Sequence, residues 1–250
     1  MSTTYDAPVA CPRCGERFNA TLFTNLHVTR SPAVRDDILA GKFQRFDCPH
    51  CAASVRVEPS MLYTDFERYR WYAVFPQWAI EHRKELSEMV LEGFHRNMLV
   101  QCAPIVRSWA PMFRIRVIFG LPSLRDKLLC DDAELDDRVL EIFKLQLLRD
   151  RFPEAFRPDA TLYLERAEPL KLTFLLTLPG DQDDLEVVRR VAVDRAAYQA
   201  LALSPGLAER MPDFFNSAVV DWRAPLQPDR PLPQDPLGEQ RVRLPWQDPE

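Results

Sequence analysis

Apolar residues change their period several times along the chain, and each change delimits an element. In "FNATLFTNLHV", Phe18, Ala20, Leu22, Leu26 and Val28 fall on one face of an alternating pattern, which predicts a strand. "SPAVRDDILAG" predicts a short helix: Ser31 caps it, Pro32 occupies its first turn, Val34 and Ile38 face inward and Gly41 ends it. "KFQRFDC" and "ASVRVEP" read as two further strands, and "YRWYAVFP" places Tyr69, Trp71, Ala73 and Phe75 on one face. Pro76 is expected to close this β-rich segment. A helical period then runs from about 78 to 101 through Leu86, Met89, Val90, Phe94 and Met98.

Beyond it, "MFRIRVIFG" predicts a strand, "PSLRDKLL" a helix entered through Ser123, and "AELDDRVLEIFKLQLLRDRF" a helix apolar on nearly all sides. "TLYLER" and "KLTFLLTL" predict a hairpin with Leu172, Phe174, Leu176 and Leu178 inward, followed by a strand at "RRVAV" and a helix capped by Asp194. The last 29 residues hold seven prolines, so an extended tail is expected there, with Trp246 as an anchor. The fold class is therefore α+β. A β-rich domain covers 1–76, a linker helix and an α+β domain 77–221, and a proline-rich tail 222–250.

Composition adds limits. With 250 residues, 46% hydrophobic and 28% charged, the chain can bury a real core. No apolar run reaches the roughly 18 residues of a membrane span. "MSTTYDAPVACPRC" has neither a basic start nor an apolar core, so no secretory signal is read and the expected location is the cytoplasm. Charge is uneven: residues 1–60 carry +1, 61–130 carry +3 and 131–250 carry −9. The cysteine-bearing part is thus near neutral, which counts against a strong phosphate-backbone binder.

The candidate chemistry lies in two clips, "CPRC" (Cys11 and Cys14) and "CPHC" (Cys48 and Cys51), separated by residues 15–47. Two C-x₂-C units supply four sulfur ligands, the number a structural Zn²⁺ requires, and leave no coordination position for water or substrate. The other use of C-x-x-C, a redox pair, fits less well because neither clip opens a helix in a βαβ unit. Gly15 follows the first clip, where a positive φ costs it nothing. Ala52 holds the equivalent place in the second clip and predicts a less regular turn there. His50, at the variable position of its clip, reads as an exposed side chain, and Cys102 and Cys130 as ordinary buried thiols.

The clips, together with "SPAVRDDILAGKFQRFDCPHC" and "MLYTDFERYRWYAVFP", resemble the CpXC domain family. "IRVIFGLPSLRDKLLCDDAELDDRVLEIFKLQLL" is similar to a region that often follows that domain, so the resemblance spans about residues 8–150. It implies a zinc-ribbon-like fold, a prokaryotic setting and metal positions at the same four cysteines. It implies no reaction.

Other candidates have plainer explanations. Glu92 and His95 have the Glu-x-x-His spacing of a di-iron bundle, but the second copy such a site needs is missing. Asp36–Asp37, Asp131–Asp132, Asp136–Asp137 and Asp183–Asp184 mostly precede or open helices, where carboxylates suit the dipole. Asp136, Asp137 and Glu141 can share one helix flank, with Lys127 and Lys144 placed to neutralise them. No phosphate-cradling glycine loop or G-x-S-x-G elbow is present. His27 is expected on an outward strand face and His82 in a charged helix. "FERYRWY" (Phe66 to Tyr72) could stack bases, or simply alternate with aromatics inward and Arg68 and Arg70 outward. The expectation is a non-catalytic, zinc-stabilised interaction or adaptor protein that binds a protein partner or a second copy. Nucleic-acid binding, and an enzyme site in the α+β domain, are the alternatives.

Overall fold

The computed structural model describes residues 2–179 and 185–232. The chain divides into two compact units, Met1–Leu121 rejoined by the chain from Arg230, and Pro122–Asp229.

The first unit is built on a five-stranded mixed sheet. Strands β1 (Thr3–Ala10) and β2 (Arg17–His27) form an antiparallel hairpin. Helix α1 (Pro32–Leu39) follows, then a small separate hairpin of β3 (Arg45–Asp47) and β4 (Ser54–Arg56). Strands β5 (Met61–Asp65) and β6 (Arg70–Phe75) return to the main sheet as an antiparallel pair. Helices α2 (Arg83–His95) and α3 (Pro104–Trp109) lead to β7 (Arg114–Phe119). The sheet order is β1-β2-β5-β6-β7, with β2/β5 and β6/β7 parallel. Parallel neighbours need a long crossover. Here α1 with the small hairpin makes one crossover, and α2 with α3 makes the other.

That topology explains where the sequence pattern misleads. The compact unit runs on to Leu121 and does not close at Pro76, because β7 adds to the free edge of β6. Strand β5 is buried along its whole length and β6 from Trp71 onward, with Tyr72 and Val74 as deep as Trp71, Ala73 and Phe75. An alternating pattern marks one covered face, and these central strands have two. β1 went unread although Tyr5, Ala7 and Val9 alternate as half-buried positions. The period from 78 to 101 is one apolar stripe but three windings: a 3₁₀ turn at Gln77–His82, then α2, then a π turn at Arg96–Val100. Ser31 precedes α1 without capping it through its side chain.

In the second unit, α4 (Leu121–Asp132) and α5 (Asp137–Arg151) precede an antiparallel sheet of β8 (Thr161–Ala167), β9 (Lys171–Pro179) and β10 (Leu185–Asp194) in the order β10-β9-β8, followed by α6 (Arg195–Ala202). Leu140, Ile142 and Leu148 of α5 pack with Leu162, Leu172, Phe174 and Leu176 of the sheet. α4 begins at Leu121, two residues before the expected Ser123 entry, and Asp194 sits at the start of α6 without a side-chain cap bond. Trp222, expected to open the tail, is 2% exposed and part of this core. Trp246 and Asp183–Asp184 lie outside the described residues.

Candidate metal centre

The first clip is the tip of the β1–β2 hairpin and the second is the tip of β3–β4. Each tip folds the same way. Gly15 N–H donates to Cys11 O at 2.8 Å, and Ala52 N–H donates to Cys48 O at 2.8 Å. One step outward, Cys11 N–H donates to Glu16 O and Cys48 N–H to Ala53 O, both at 2.9 Å. Gly15 has φ 75° and Ala52 φ 55°. The second turn is therefore as regular as the first, contrary to the expectation from Ala52: alanine adopts the left-handed conformation and bears its cost.

The two tips bring all four sulfurs together. Cys11 Sγ lies 3.6 Å from Cys51 Sγ and Cys14 Sγ lies 3.7 Å from Cys48 Sγ. All four fall within 4.8 Å of one another and could hold a metal ion. The thiols are free, at separations far beyond the roughly 2.05 Å of a disulfide. A tetrahedron with metal–sulfur bonds of about 2.3 Å has edges of about 3.8 Å, so these two separations match a zinc tetrathiolate. Both of these pairs join one clip to the other, so a shared ion would tie the two hairpins.

Backbone amides prepare the sulfurs for charge. The N–H of Cys14, helped by that of Arg13, draws the Cys11 thiol down to about 6 against the effect of burial. The Glu16 N–H acts in the same sense on Cys14, but burial and the neighbouring sulfurs prevail and push that thiol up to about 12. Four thiolates cannot crowd together without a cation, and a dication among them removes that conflict. The surroundings are sparse in apolar material. Cys11, Cys48 and Val55 are the buried members of a small cluster flanked by Val9, Phe18, Ala53 and Val57. His50 is exposed, as expected.

No other cluster among the described residues brings three or more His, Cys, Asp or Glu ligand atoms close enough for a metal. Glu92 is exposed and pairs with Arg96 at 3.0 Å, and His95 is exposed. Asp136 caps α5 by accepting from Arg138 N–H. Asp137 and Glu141 do meet Lys127 and Lys144, inside the second unit. Lys127 Nζ lies 3.4 Å from Asp137 and 3.2 Å from Glu141, and Lys144 Nζ lies 2.8 Å from Glu141 and also bonds Asp126.

These five groups are sealed, and the network ties down the segment around Trp222. Lys127 Nζ donates to Val220 O at 2.7 Å, and Glu141 accepts from Trp222 N–H at 3.0 Å. Beside it, Arg223 is paired with Asp221 at 2.6 Å. Burial pushes the Asp126 carboxyl up despite Lys144, whereas Lys127 rises against burial because Glu141 and Asp137 face it. Neutralisation by the two lysines is legible in the sequence; the part played by Asp126 is not, since its partner Lys144 lies on another helix, and neither is the burial of the Asp221–Arg223 pair at the point where the tail is expected to begin.

The remaining candidates are also consumed internally. "FERYRWY" is a tight turn through Phe66–Tyr69 leading into β6, not a continuous strand. Phe66 stacks on His27 at 5.0 Å and meets Phe113 at 5.2 Å, and Tyr69 meets Phe113 at 5.6 Å. His27 is therefore half-buried against an aromatic ring rather than outward, and burial lowers its pKa. His82 is buried, with Nδ1 3.0 Å from Arg230 O. Cys102 Sγ donates to Met98 O and Cys130 Sγ to Leu135 O; burial pushes the Cys130 thiol well up. Cys130 is buried as expected, whereas Cys102 is only half-buried.

With this geometry in place, comparison with known proteins adds one finding. A family model described as CpXC protein matches residues 9–144. The chain belongs to the CpXC family. The match starts just before the first clip and ends within α5, so it takes in both clips, the five-stranded sheet from β2 onward and all five members of the buried charge network. No curated protein and no solved structure matches. Among the described residues, no helix is long and apolar enough to cross a membrane.

Proposed function

We propose that this CpXC chain is a non-catalytic binding protein of the prokaryotic cytoplasm, with Zn²⁺ held by Cys11, Cys14, Cys48 and Cys51. The observation that carries the reading is the set of sulfur separations, 3.6 Å and 3.7 Å between clips. They suit a closed four-sulfur shell, in which the ion supplies folding free energy and has no position for a substrate. The ion would fix the β1–β2 and β3–β4 tips as one rigid surface, whose outer residues include Pro12, Arg13, Pro49 and His50. That surface would contact a protein, either a dedicated partner or a second copy of the chain.

Two features weigh against the alternatives. Aromatic rings that could have stacked bases are engaged with one another, and the carboxylates that could have served a reaction are neutralised and sealed. The test is capture of the full-length chain from its native cytoplasm, with mass spectrometry of proteins and nucleic acids retained. The expected result is a discrete protein, or the chain itself, retained by the zinc-loaded form and lost after Cys48→Ser. Retention of RNA or DNA alone, sensitive to salt, would overturn the reading in favour of nucleic-acid binding. Turnover of a co-purified small molecule would overturn it in favour of an enzyme.

A further inference from the structure

Within the first unit, the residues that begin α2 hold a short piece of the C-terminal segment. Arg230 N–H donates to Glu81 O at 2.6 Å, and Arg230 O meets His82 Nδ1 at 3.0 Å. The Arg230 guanidinium lies 3.1 Å from the Glu81 carboxylate. Two residues on, Leu232 N–H donates to the Glu85 carboxylate at 2.8 Å. Trp78, one of the exposed large apolar residues at 38%, sets its ring against the same His82 imidazole at 6.2 Å.

The register of these bonds follows the sequence "RPLP". Arg230 and Leu232 have amide hydrogens, and both are taken by the shoulder of α2. Pro231 between them has none, so the intervening position asks for no partner. Proline also fixes φ and holds the segment extended before it docks, which lowers the conformational entropy lost on binding. Pro228 and Pro231 are exposed, so the prolines serve by stiffening the segment and not by filling a pocket. Specificity comes from the arginine meeting Glu81 and from amides at alternate positions. Recognition of extended proline-rich peptides commonly combines such features with a nearby aromatic ring.

We infer that Glu81 and His82 of the 3₁₀ turn before α2 and Glu85 in the first turn of α2, beside Trp78, form a recognition site for an extended Arg-Pro-Leu segment. The chain's own residues 230–232 are its resident occupant, and the same segment of a second copy is its exchange partner. The attachment is small and its ion pair is exposed, with the Arg230 side chain at 64% and Glu81 at 37%. Such a contact is released at little cost, and an identical segment from another copy can take it over, which is the usual route to an exchanged dimer. This inference deepens the binding-protein reading by naming a partner, and rests on it only in taking self-association as the chain's business.

The test uses two full-length variants, Glu81→Arg and Arg230→Glu. Each alone places like charges together, so its own segment is repelled. Mixed, the Arg230 of one meets the Glu81 of the other, and the Glu introduced at 230 meets the Arg introduced at 81, so both contacts are restored between chains. Native mass spectrometry with an isotope label on one variant reads the outcome at ~100 µM, where modest peptide contacts are populated. The expected result is a mixed dimer at least tenfold more abundant than either variant's own dimer, weakening as salt rises. Equal amounts of mixed and unmixed dimer, or monomers throughout, would overturn the inference. Zinc content is measured on the same samples: unchanged zinc with no mixed dimer refutes this site alone, whereas absent zinc refutes the metal reading.

Discussion

Ala52 is the residue at which the two clips differ most in cost. It adopts φ 55° where its counterpart is a glycine at φ 75°, and it makes the same 2.8 Å bond back to its first cysteine. A left-handed alanine costs about 1 kcal/mol or more, part of which glycine loses again through the freer unfolded chain. Ala52→Gly is therefore expected to stabilise the zinc-loaded protein by about 0.5 kcal/mol, read as a higher thermal midpoint at fixed zinc. A lower midpoint would show that the turn needs the methyl group. Cys48→Ser replaces a buried sulfur with a hydroxyl that binds zinc poorly. It should leave much less than one zinc per chain by elemental analysis, and full occupancy would contradict its role as ligand. The four cysteines were legible because C-x₂-C is a local spacing. The amide donors of Arg13, Cys14 and Glu16 were not, because they depend on how each turn winds.

Between elements, the main device is the ionic contact that joins α4 and α5 to the chain around Trp222. Asp221 is buried, yet its partner Arg223 holds its carboxyl down to about 2, below the ordinary 3.8. A depressed carboxylate contributes stability that is present above its unfolded value and is lost as pH falls toward its folded one. By that sign, about 2 kcal/mol of the second unit's stability should disappear between roughly pH 4 and pH 2. Arg223→Met strands a buried carboxylate and should cost about 3 kcal/mol or more in chemical denaturation, while Asp221→Leu with Arg223→Met costs less. Equal losses in the single and double variants would show that packing, not charge, sets the effect. Helix α2 was legible from its apolar stripe, α1 from the signals at its ends and α5 from its length and apolar content. β1 was missed because its alternating positions, Tyr5, Ala7 and Val9, are only half-buried and its apolar signal is weak. The extent of the first unit was missed for a topological reason: β6 and β7 pair across the α2–α3 crossover, and β5 and β6 lose their alternation by being covered on both faces.

Across the whole molecule, the sulfur knot has far less apolar support than the core of either unit, the first of which buries Leu26, Met61, Tyr72, Phe75 and Phe119 on its main sheet. Leu140, Phe174 and Trp222 belong to an extensive buried core in the second unit, whereas only Cys11, Cys48 and Val55 are buried around the sulfur knot. So few apolar groups cannot hold two hairpin tips together unaided, and metal binding becomes folding free energy there. Chelation should therefore expose the amides of residues 9–18 and 43–57 to hydrogen exchange while those of α5 and β9 stay protected. Simultaneous loss of protection in both units would show that the ion supports more than its own hairpins. The fold class was readable because each half carries its own pattern. The division at Leu121 was not, since it depends on β7 choosing β6 as its neighbour.

X-ray absorption at the zinc edge on protein purified without added metal tests the central claim most directly. The account predicts zinc with four sulfur neighbours at about 2.3 Å and no oxygen or nitrogen in the shell. A shell of three sulfurs with a light atom, or protein that carries no zinc while its fold is intact, would contradict it.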